Sequence, residues 1–138
     1  MGQQQLLLLV LSIVIVGLAV FAGILIYGES SRHDRADDVL NQSVRLAQEA
    51  IQWKGRAAVY GGGGGANATF DPLATGGFTE MGISGETLTT DHAIRTAAGQ
   101  SVEIIGVSKA YPDIGSYVRV QNGQIDSTAV RYDGSITL

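Results

Sequence analysis

The sequence predicts an α+β fold, in which a long N-terminal α-helix packs on a small C-terminal antiparallel β-sheet of about four strands. Three observations predict it. An apolar run fills residues 6–27, and an amphipathic pattern at residues 31–54 continues it, so one helix has an apolar first half and an amphipathic second half. Strand-like runs separated by Asn-Gly and Asp-Gly turns fill residues 101–138. Residues 55–100 are rich in glycine and are predicted to be mainly loop.

The apolar run from Leu6 to Tyr27 contains no ionisable acid or base over twenty-two positions. At 1.5 Å of rise per residue it is about 33 Å long as a helix, and the hydrocarbon core of a bilayer is about 30 Å thick. The run can therefore cross a membrane once. A cleaved secretory signal is disfavoured, because the run is longer than a signal-peptide core and the preceding MGQQQ has no basic residue.

The amphipathic pattern places apolar residues at steps of four, three and four, at Leu40, Val44, Ala47 and Ile51. Polar residues, Gln42, Arg45 and Glu49 among them, fill the opposite side. This apolar stripe is expected to cover the sheet. No proline occurs between Met1 and Lys54, so residues 1–54 are predicted to form one helix about 75 to 80 Å long. The alternative is a break at Gly28, with Ser31 as N-cap.

The segment of residues 55–100 has five consecutive glycines, from Gly61 to Gly65. One short helix is predicted near residues 91–98, with Thr90 or Asp91 as its N-cap and Gly99 at its end. Beyond it, strands are predicted at residues 101–107, 117–121, 124–132 and 135–138. They form an antiparallel meander with one apolar face that includes Val118 and Val120.

Composition narrows the function classes. The net charge is −4, the pI is near 4.9, and no cluster of Lys and Arg occurs, which argues against nucleic acid as the main partner. The chain has no cysteine, so disulfides and thiolate metal sites are excluded. No constellation of nucleophile, base and stabiliser is visible, and neither catalysis nor a cofactor or metal is expected.

Four short motifs favour ordinary structural interpretations. Gly61–Ala66 matches a phosphate-binding fingerprint only because it is a glycine run, and a flexible or tightly packed loop is expected instead. Gly82–Gly85 resembles a nucleophile elbow but predicts a turn. His33, with two aspartates nearby, is interpreted as part of a solvated helix face. Asn67-Ala68-Thr69 is a candidate N-glycosylation site on a loop.

An apolar helix that starts almost at the first residue and runs on as an amphipathic helix, followed by a glycine-rich loop and a terminal antiparallel sheet, resembles a type IV pilin. Members of that family are membrane proteins before assembly. A prepilin peptidase cuts a short leader after a glycine, the new terminus is N-methylated, and the helices bundle in the core of a filament.

The resemblance therefore implies a structural subunit of an extracellular filament of identical chains. It implies three kinds of partner: the cytoplasmic membrane before assembly, the prepilin peptidase with the assembly machinery, and further copies of the chain on the cell surface. The filament core would be built from the large apolar residues of the run, Leu6, Leu7, Leu8, Leu9, Val10, Leu11, Ile13, Val14, Ile15, Val16, Leu18, Val20, Phe21, Ile24, Leu25 and Ile26.

Two departures from the family pattern occur at the N-terminus. Gln3, Gln4 and Gln5 stand where the family typically has a glutamate that pairs with a neighbour's amine, and a glutamine can accept only the weaker, uncharged version of that hydrogen bond. Met1 and Gly2 are either the remnant of a very short leader, so that processing exposes Gln3, or the start of the mature chain.

A third departure lies inside the apolar run. Many pilins have a helix-loosening proline there, whereas this chain has Gly17 and Gly23, each of which lowers helix propensity by about 1 kcal/mol. If part of the core helix unwinds on assembly, we expect it to be this segment. The alternative function is a single-span membrane protein with a small exported binding domain, or a secretion-system pseudopilin.

Overall fold

The structure, a computed structural model, describes residues 2–65 and 67–138. By its internal contacts the chain divides into two units, Met1–Asp34 and Arg35–Leu138. Helix α1 spans Gly2–Gly55 and helix α2 spans Asp71–Gly76, with short 3₁₀ turns at Ala58–Tyr60 and Gly77–Met81. The strands are β1 (Thr90–Ala98), β2 (Ser101–Ser108), β3 (Gly115–Gln121) and β4 (Gln124–Arg131).

Helix α1 is assigned as one α-helix of 54 residues with no interruption at Gly28. The prediction of a continuous helix is therefore confirmed, and the alternative break with a cap at Ser31 is not found. The α+β fold with a four-stranded antiparallel sheet is confirmed as well.

The sheet is a simple meander in the order β1-β2-β3-β4, and every neighbouring pair is antiparallel. The turn between β3 and β4 is Asn122-Gly123, and both residues have positive φ, at 53° and 79°. Positive φ at both central residues matches the twist of a two-residue hairpin, which is why Asn-Gly predicts this turn well.

Within Arg35–Leu138, α1 packs on one face of the sheet. Val102, Ile104, Val118 and Val120 point towards the helix and are fully buried. The same core includes Leu46 and Trp53 of α1, and Phe70, Leu73 and Phe78 of the connecting segment. Burying one such side chain contributes about 1.5–3 kcal/mol, so this cluster is the main source of stability in the unit.

The buried face of α1 is centred on small residues. Ala36, Ser43 and Ala50, spaced by seven residues, are fully buried. Of the four residues expected to cover the sheet, Ala47 is fully buried, while Leu40, Val44 and Ile51 are partly buried and pack against the core from the side. At 100° per residue, the centre of the predicted stripe lies about 90° from the observed one. Small side chains at the centre let the helix axis approach the sheet closely.

The helix predicted near residues 91–98 is wrong, because this segment is strand β1. It pairs with β2 from Thr90↔Ser108 to Ala98↔Ser101. The register shifts between Ile94 and Thr96, which is a bulge. A bulge interrupts the period-two alternation by which a strand is recognised, and the alanines around it favour a helical interpretation.

The strand predicted at residues 135–138 is also wrong. The Ser135 amide donates to Asp133 Oδ1 at 3.0 Å, and the Gly134 amide donates to the Asp113 carbonyl at 3.0 Å, so the chain bends instead of forming a hairpin. Ile136 then packs at Gly115, where an added Cβ would lie 2.6 Å from the Ile136 Cβ. The four strands are thus β1 to β4, and the first of them lies in the region predicted to be loop and helix.

The glycine run closes the C-terminal end of α1. Amides of Gly63, Gly64 and Gly65 donate to the carbonyls of Trp53, Arg56 and Lys54 at 2.9, 3.1 and 3.2 Å. These bonds satisfy carbonyls that the end of a helix leaves without partners. A Cβ on Gly63 would lie 2.8 Å from the Trp53 ring, so the close approach needs glycine. Of the two interpretations left open, a flexible or a tightly packed loop, the structure supports the second.

Candidate functional site

The dominant surface of residues 2–34 is apolar around the whole circumference of the helix. The large side chains from Leu6 to Ile26 are exposed by between 49% and 70%. They are the residues expected to form a filament core: Leu6, Leu7, Leu8, Leu9, Val10, Leu11, Ile13, Val14, Ile15, Val16, Leu18, Val20, Phe21, Ile24, Leu25 and Ile26. A helix that is apolar all round needs lipid or protein around it.

Polar groups do not interrupt this surface. The Ser12 hydroxyl donates to the Leu9 carbonyl of its own helix at 2.8 Å, so it offers little to a polar partner. In the described part of the chain, α1 is the one helix long and apolar enough to cross a membrane, and its best window of eighteen residues has a mean hydropathy of 3.0. The segment is therefore a candidate membrane span.

The two ends of this surface differ. Gly2, Gln3, Gln4 and Gln5 are helical and exposed, and no acidic residue lies in the described first turn. Met1, whose processing was predicted, lies outside the described residues. At the other end the Glu29 carboxylate is 3.4 Å from His33 Nε2, one turn further on. Ionisable groups thus begin just past the apolar run.

Gly17 and Gly23 leave indentations in the apolar helix. Both are in α-helical conformation, and an added Cβ would meet nothing within 4 Å at either position. Unwinding around them on assembly stays a prediction.

A polar layer lies at one end of the helix–sheet interface. His92 is buried, with Nδ1 3.2 Å from the Gly85 carbonyl and Nε2 3.4 Å from the Val39 carbonyl of α1. Burial lowers the pKa of His92, although both carbonyls and the nearby Asp91 and Asp38 act in the opposite direction. A Cβ on Gly106 would lie 2.4 Å from the imidazole Cδ2, so β2 has room for this ring only because residue 106 is glycine.

The opposite end of the same interface contains a buried cation. Lys54 is buried, donates to Gln100 Oε1, and has its Nζ 5.0 Å from the centroid of the Phe70 ring. Gln100 Nε2 in turn donates to the Ala68 carbonyl at 3.2 Å. These contacts connect the last turn of α1 to the turn between β1 and β2.

A groove of about 300 Å³ lies between α1 and the segment that precedes β1. Leu46 and Ile83 give it apolar walls, and its other lining residues are polar: Gln42, Arg45, Glu49, Ser84 and Thr87. Arg45 Nε and Glu49 Oε1 are 3.2 Å apart. The sequence pattern placed the three helical polar residues on the solvent side of α1, but no sequence signal brings residues 83–87 to them.

The weaker sequence motifs have structural roles or remain untested. All five amides of Gly61–Gly65 donate to backbone carbonyls of residues 53–58, so they are engaged within the chain rather than available to a phosphate. Within residues 2–65 and 67–138, no three His, Asp or Glu side chains converge on a metal-sized site, and this range includes His33 and its neighbours. Asn67 is exposed in a turn, and its glycosylation stays a prediction.

Comparisons with protein-family models, with curated proteins and with solved structures found no match to this chain.

Proposed function

We propose that the chain is a structural subunit of a type IV pilus-like filament, held in a membrane by residues 6–27 before assembly and polymerising through the same residues. The observation that carries the proposal is the exposed apolar circumference of the helix between Leu6 and Ile26. Covering one such side chain fully is worth about 1.5–3 kcal/mol relative to leaving it in water. Outside a bilayer the surface is stable only when several neighbouring copies cover it.

The arrangement of α1 supports an assembly role beyond simple anchoring. The helix that carries the apolar surface continues to Gly55, and its part from Arg35 onward contributes to the core of Arg35–Leu138. A simple anchor needs only a span and a linker. Here one helix carries both the apolar surface and part of the core, so no flexible linker separates them. A subunit of a polymer under load requires such a connection, because tension must reach the folded unit.

Packing between apolar helices depends on close approach, since lipid is as apolar as leucine and offers no hydrophobic gain on exchange. Ala19 and Gly23 lie four residues apart, on one face of the helix, and their small size leaves a shallow depression on that face. This spacing of small residues allows backbones of neighbouring helices to approach and gain dispersion contacts.

Shearing cells that express the chain and sedimenting the supernatant tests the proposal. We expect the chain in a pelletable fibre fraction, visible as thin filaments by electron microscopy. Recovery of the chain only in membranes would reject the filament. That result would favour the second candidate, a single-span membrane protein with an exported domain, for which the mean hydropathy of 3.0 is the supporting observation.

A further inference from the structure

The most exposed aromatic side chain within Arg35–Leu138 is Tyr60, in the short 3₁₀ turn that follows α1. Tyr60 is 78% exposed and its neighbour Val59 is 90% exposed. Tyr132 is less exposed, at 43%. The hydroxyl of Tyr117 is engaged by Glu103 at 2.9 Å. Val59 and Tyr60 are the two large apolar side chains of residues 56–65, a loop otherwise made of one arginine, alanines and glycines, and we call them the Tyr60 knob.

The groove between α1 and residues 83–87 has the chemistry that suits a tyrosine. Its volume of about 300 Å³ has room for a phenol ring. Leu46 and Ile83 offer apolar contact to the ring, while Arg45, Glu49 and Ser84 offer donors and acceptors to the hydroxyl. Tyrosine is enriched at protein interfaces because it has an apolar body and a polar tip. Leu88, which follows the groove residue Thr87, is 97% exposed and can extend the apolar contact.

The knob and the groove are different patches of the same chain. The groove is lined by α1 residues between Gln42 and Glu49, whereas Tyr60 comes after the end of α1 and does not line it. A contact between two different patches on two copies can be heterologous, and a heterologous contact that does not close into a ring repeats into an open assembly. A homopolymer needs a contact of this kind.

We propose that the Tyr60 knob of one copy seats in the groove of a second copy, with the ring against Leu46 and Ile83 and the hydroxyl at the Arg45–Glu49 pair. This inference rests on the proposed filament, and it names a contact between Arg35–Leu138 units that adds to the burial of the apolar helices. The partner is a second copy of the chain.

Paired cysteines test the contact cleanly, because the chain has none of its own. Val59→Cys places a thiol beside Tyr60, and Gln42→Cys places one on the groove. The full-length double variant, treated with a short bis-maleimide, is expected to give a ladder of dimers, trimers and larger species. Each single variant is expected to give no ladder, since head-to-tail linkage needs both thiols in one chain.

The matched control is V59C combined with Ser127→Cys, an exposed position on β4 that does not line the groove. It is expected to stay monomeric. Adding Tyr60→Ala to V59C/Q42C should lower the yield of trimers and larger species about tenfold, as loss of an aromatic anchor does. Tyr60→Phe should keep most of the yield, because the ring remains.

Cross-linking is performed on both the sheared fibres and the membrane fraction. A ladder in either fraction that requires both the Q42C substitution and Tyr60 supports the contact, even where no fibres sediment and the filament itself is rejected. Sedimenting fibres without a ladder, or a ladder equal in V59C/S127C, overturns the contact and leaves the filament standing. No ladder in either fraction also overturns it.

Discussion

Ser43 of α1 and Ser116 of β3 meet in the helix–sheet interface near His92, with their hydroxyl oxygens 2.6 Å apart and both side chains fully buried. Ser116 Oγ also lies 3.5 Å from the Val39 carbonyl. Two small hydroxyl residues bonded to each other let helix and strand approach without leaving an unsatisfied polar atom. The pair thus sets the spacing of the interface at its polar end, where His92 also lies.

Each single substitution in this pair should lower the free energy of unfolding by more than half as much as the double substitution does. Ser43→Ala strands the Ser116 hydroxyl in a buried site, and a cost of about 1–3 kcal/mol in the free energy of unfolding is expected. S43A/S116A leaves no stranded partner, so the double variant should be less destabilised than the sum of S43A and S116A. Urea unfolding in detergent, followed by fluorescence of the single tryptophan, Trp53, measures the cycle. Additive effects within about 0.3 kcal/mol would contradict the coupling.

Acid should loosen this polar end through His92. The folded-state pKa of His92 lies below its ordinary value of 6.5, because burial disfavours the imidazolium. The unfolded chain therefore binds more protons between the two pKa values, and stability is lost as the pH falls below about 6.5 towards the folded value. The negative charges of Asp38 of α1 and Asp91 of β1 raise the pKa of His92 and so moderate the loss. Lys109 Nζ lies 3.2 Å from Asp91 Oδ1.

Unfolding measured between about pH 7.5 and 5 tests this, with His92→Gln as the variant and His33→Gln as the matched control. The loss of stability as the pH falls below about 6.5 should be smaller in H92Q than in the wild type, and it should persist in H33Q. Asp71 and Asp133 titrate in a lower window, since hydrogen bonds to Thr69 and Gly99, and to Ser135, lower their pKa below the ordinary aspartate value of 3.8. A slope that H92Q leaves intact would assign the acid sensitivity to another group.

Gly63 should not tolerate a side chain, although the run around it looks like a flexible linker. A Cβ there would lie 2.8 Å from the Trp53 ring and 3.2 Å from the Lys54 Cα, so Gly63→Ala must displace the ring or the helix end. A loss of about 1–3 kcal/mol is expected, together with a shift of the Trp53 emission maximum. Gly55→Ala is the control, because nothing lies within 4 Å of its added Cβ. Equal stability of both variants would contradict the tight cap.

The sequence was sufficient for the parts of this fold that depend on local pattern. The continuous helix follows from the apolar run and the absence of proline, and the β3–β4 hairpin follows from Asn122-Gly123. The sequence pattern does not reveal strand β1, because its bulge between Ile94 and Thr96 breaks the apolar–polar alternation. Ile136 was predicted to lie in a strand, but it packs against Gly115 in a tertiary contact that the local sequence does not indicate. The predicted buried face of α1 differs from the observed one because Ala36, Ser43 and Ala50 are buried although they are not strongly apolar.

The same contrast holds for the candidate site. The apolar surface between Leu6 and Ile26 is a property of consecutive residues, so the sequence alone shows it. The groove combines Arg45 and Glu49 with Ser84, about forty residues later, and the glycine cap combines Gly63 with Trp53. Such contacts depend on the path of an irregular segment, which periodicity does not encode.

A bulky residue at position 23 should separate membrane residence from filament assembly. Nothing lies within 4 Å of an added Cβ at Gly23, so Gly23→Leu disturbs no contact within the described chain and keeps the run apolar. The chain should therefore reach membranes at the wild-type level. In a filament, however, the leucine would fill the indentation that allows a neighbouring helix to approach, and overpacking of this kind costs about 1–3 kcal/mol per contact. Repeated along a polymer, that cost should lower the yield of sheared fibres about tenfold or more.

Gly23→Ala separates close packing from helix loosening, since it raises helix propensity by about 1 kcal/mol with only one methyl group. Fibres retained in G23A and lost in G23L would assign Gly23 to close packing, whereas loss in both would show that assembly needs glycine itself at position 23. Wild-type fibre yields in both variants would place Gly23 away from any neighbouring helix and contradict both roles.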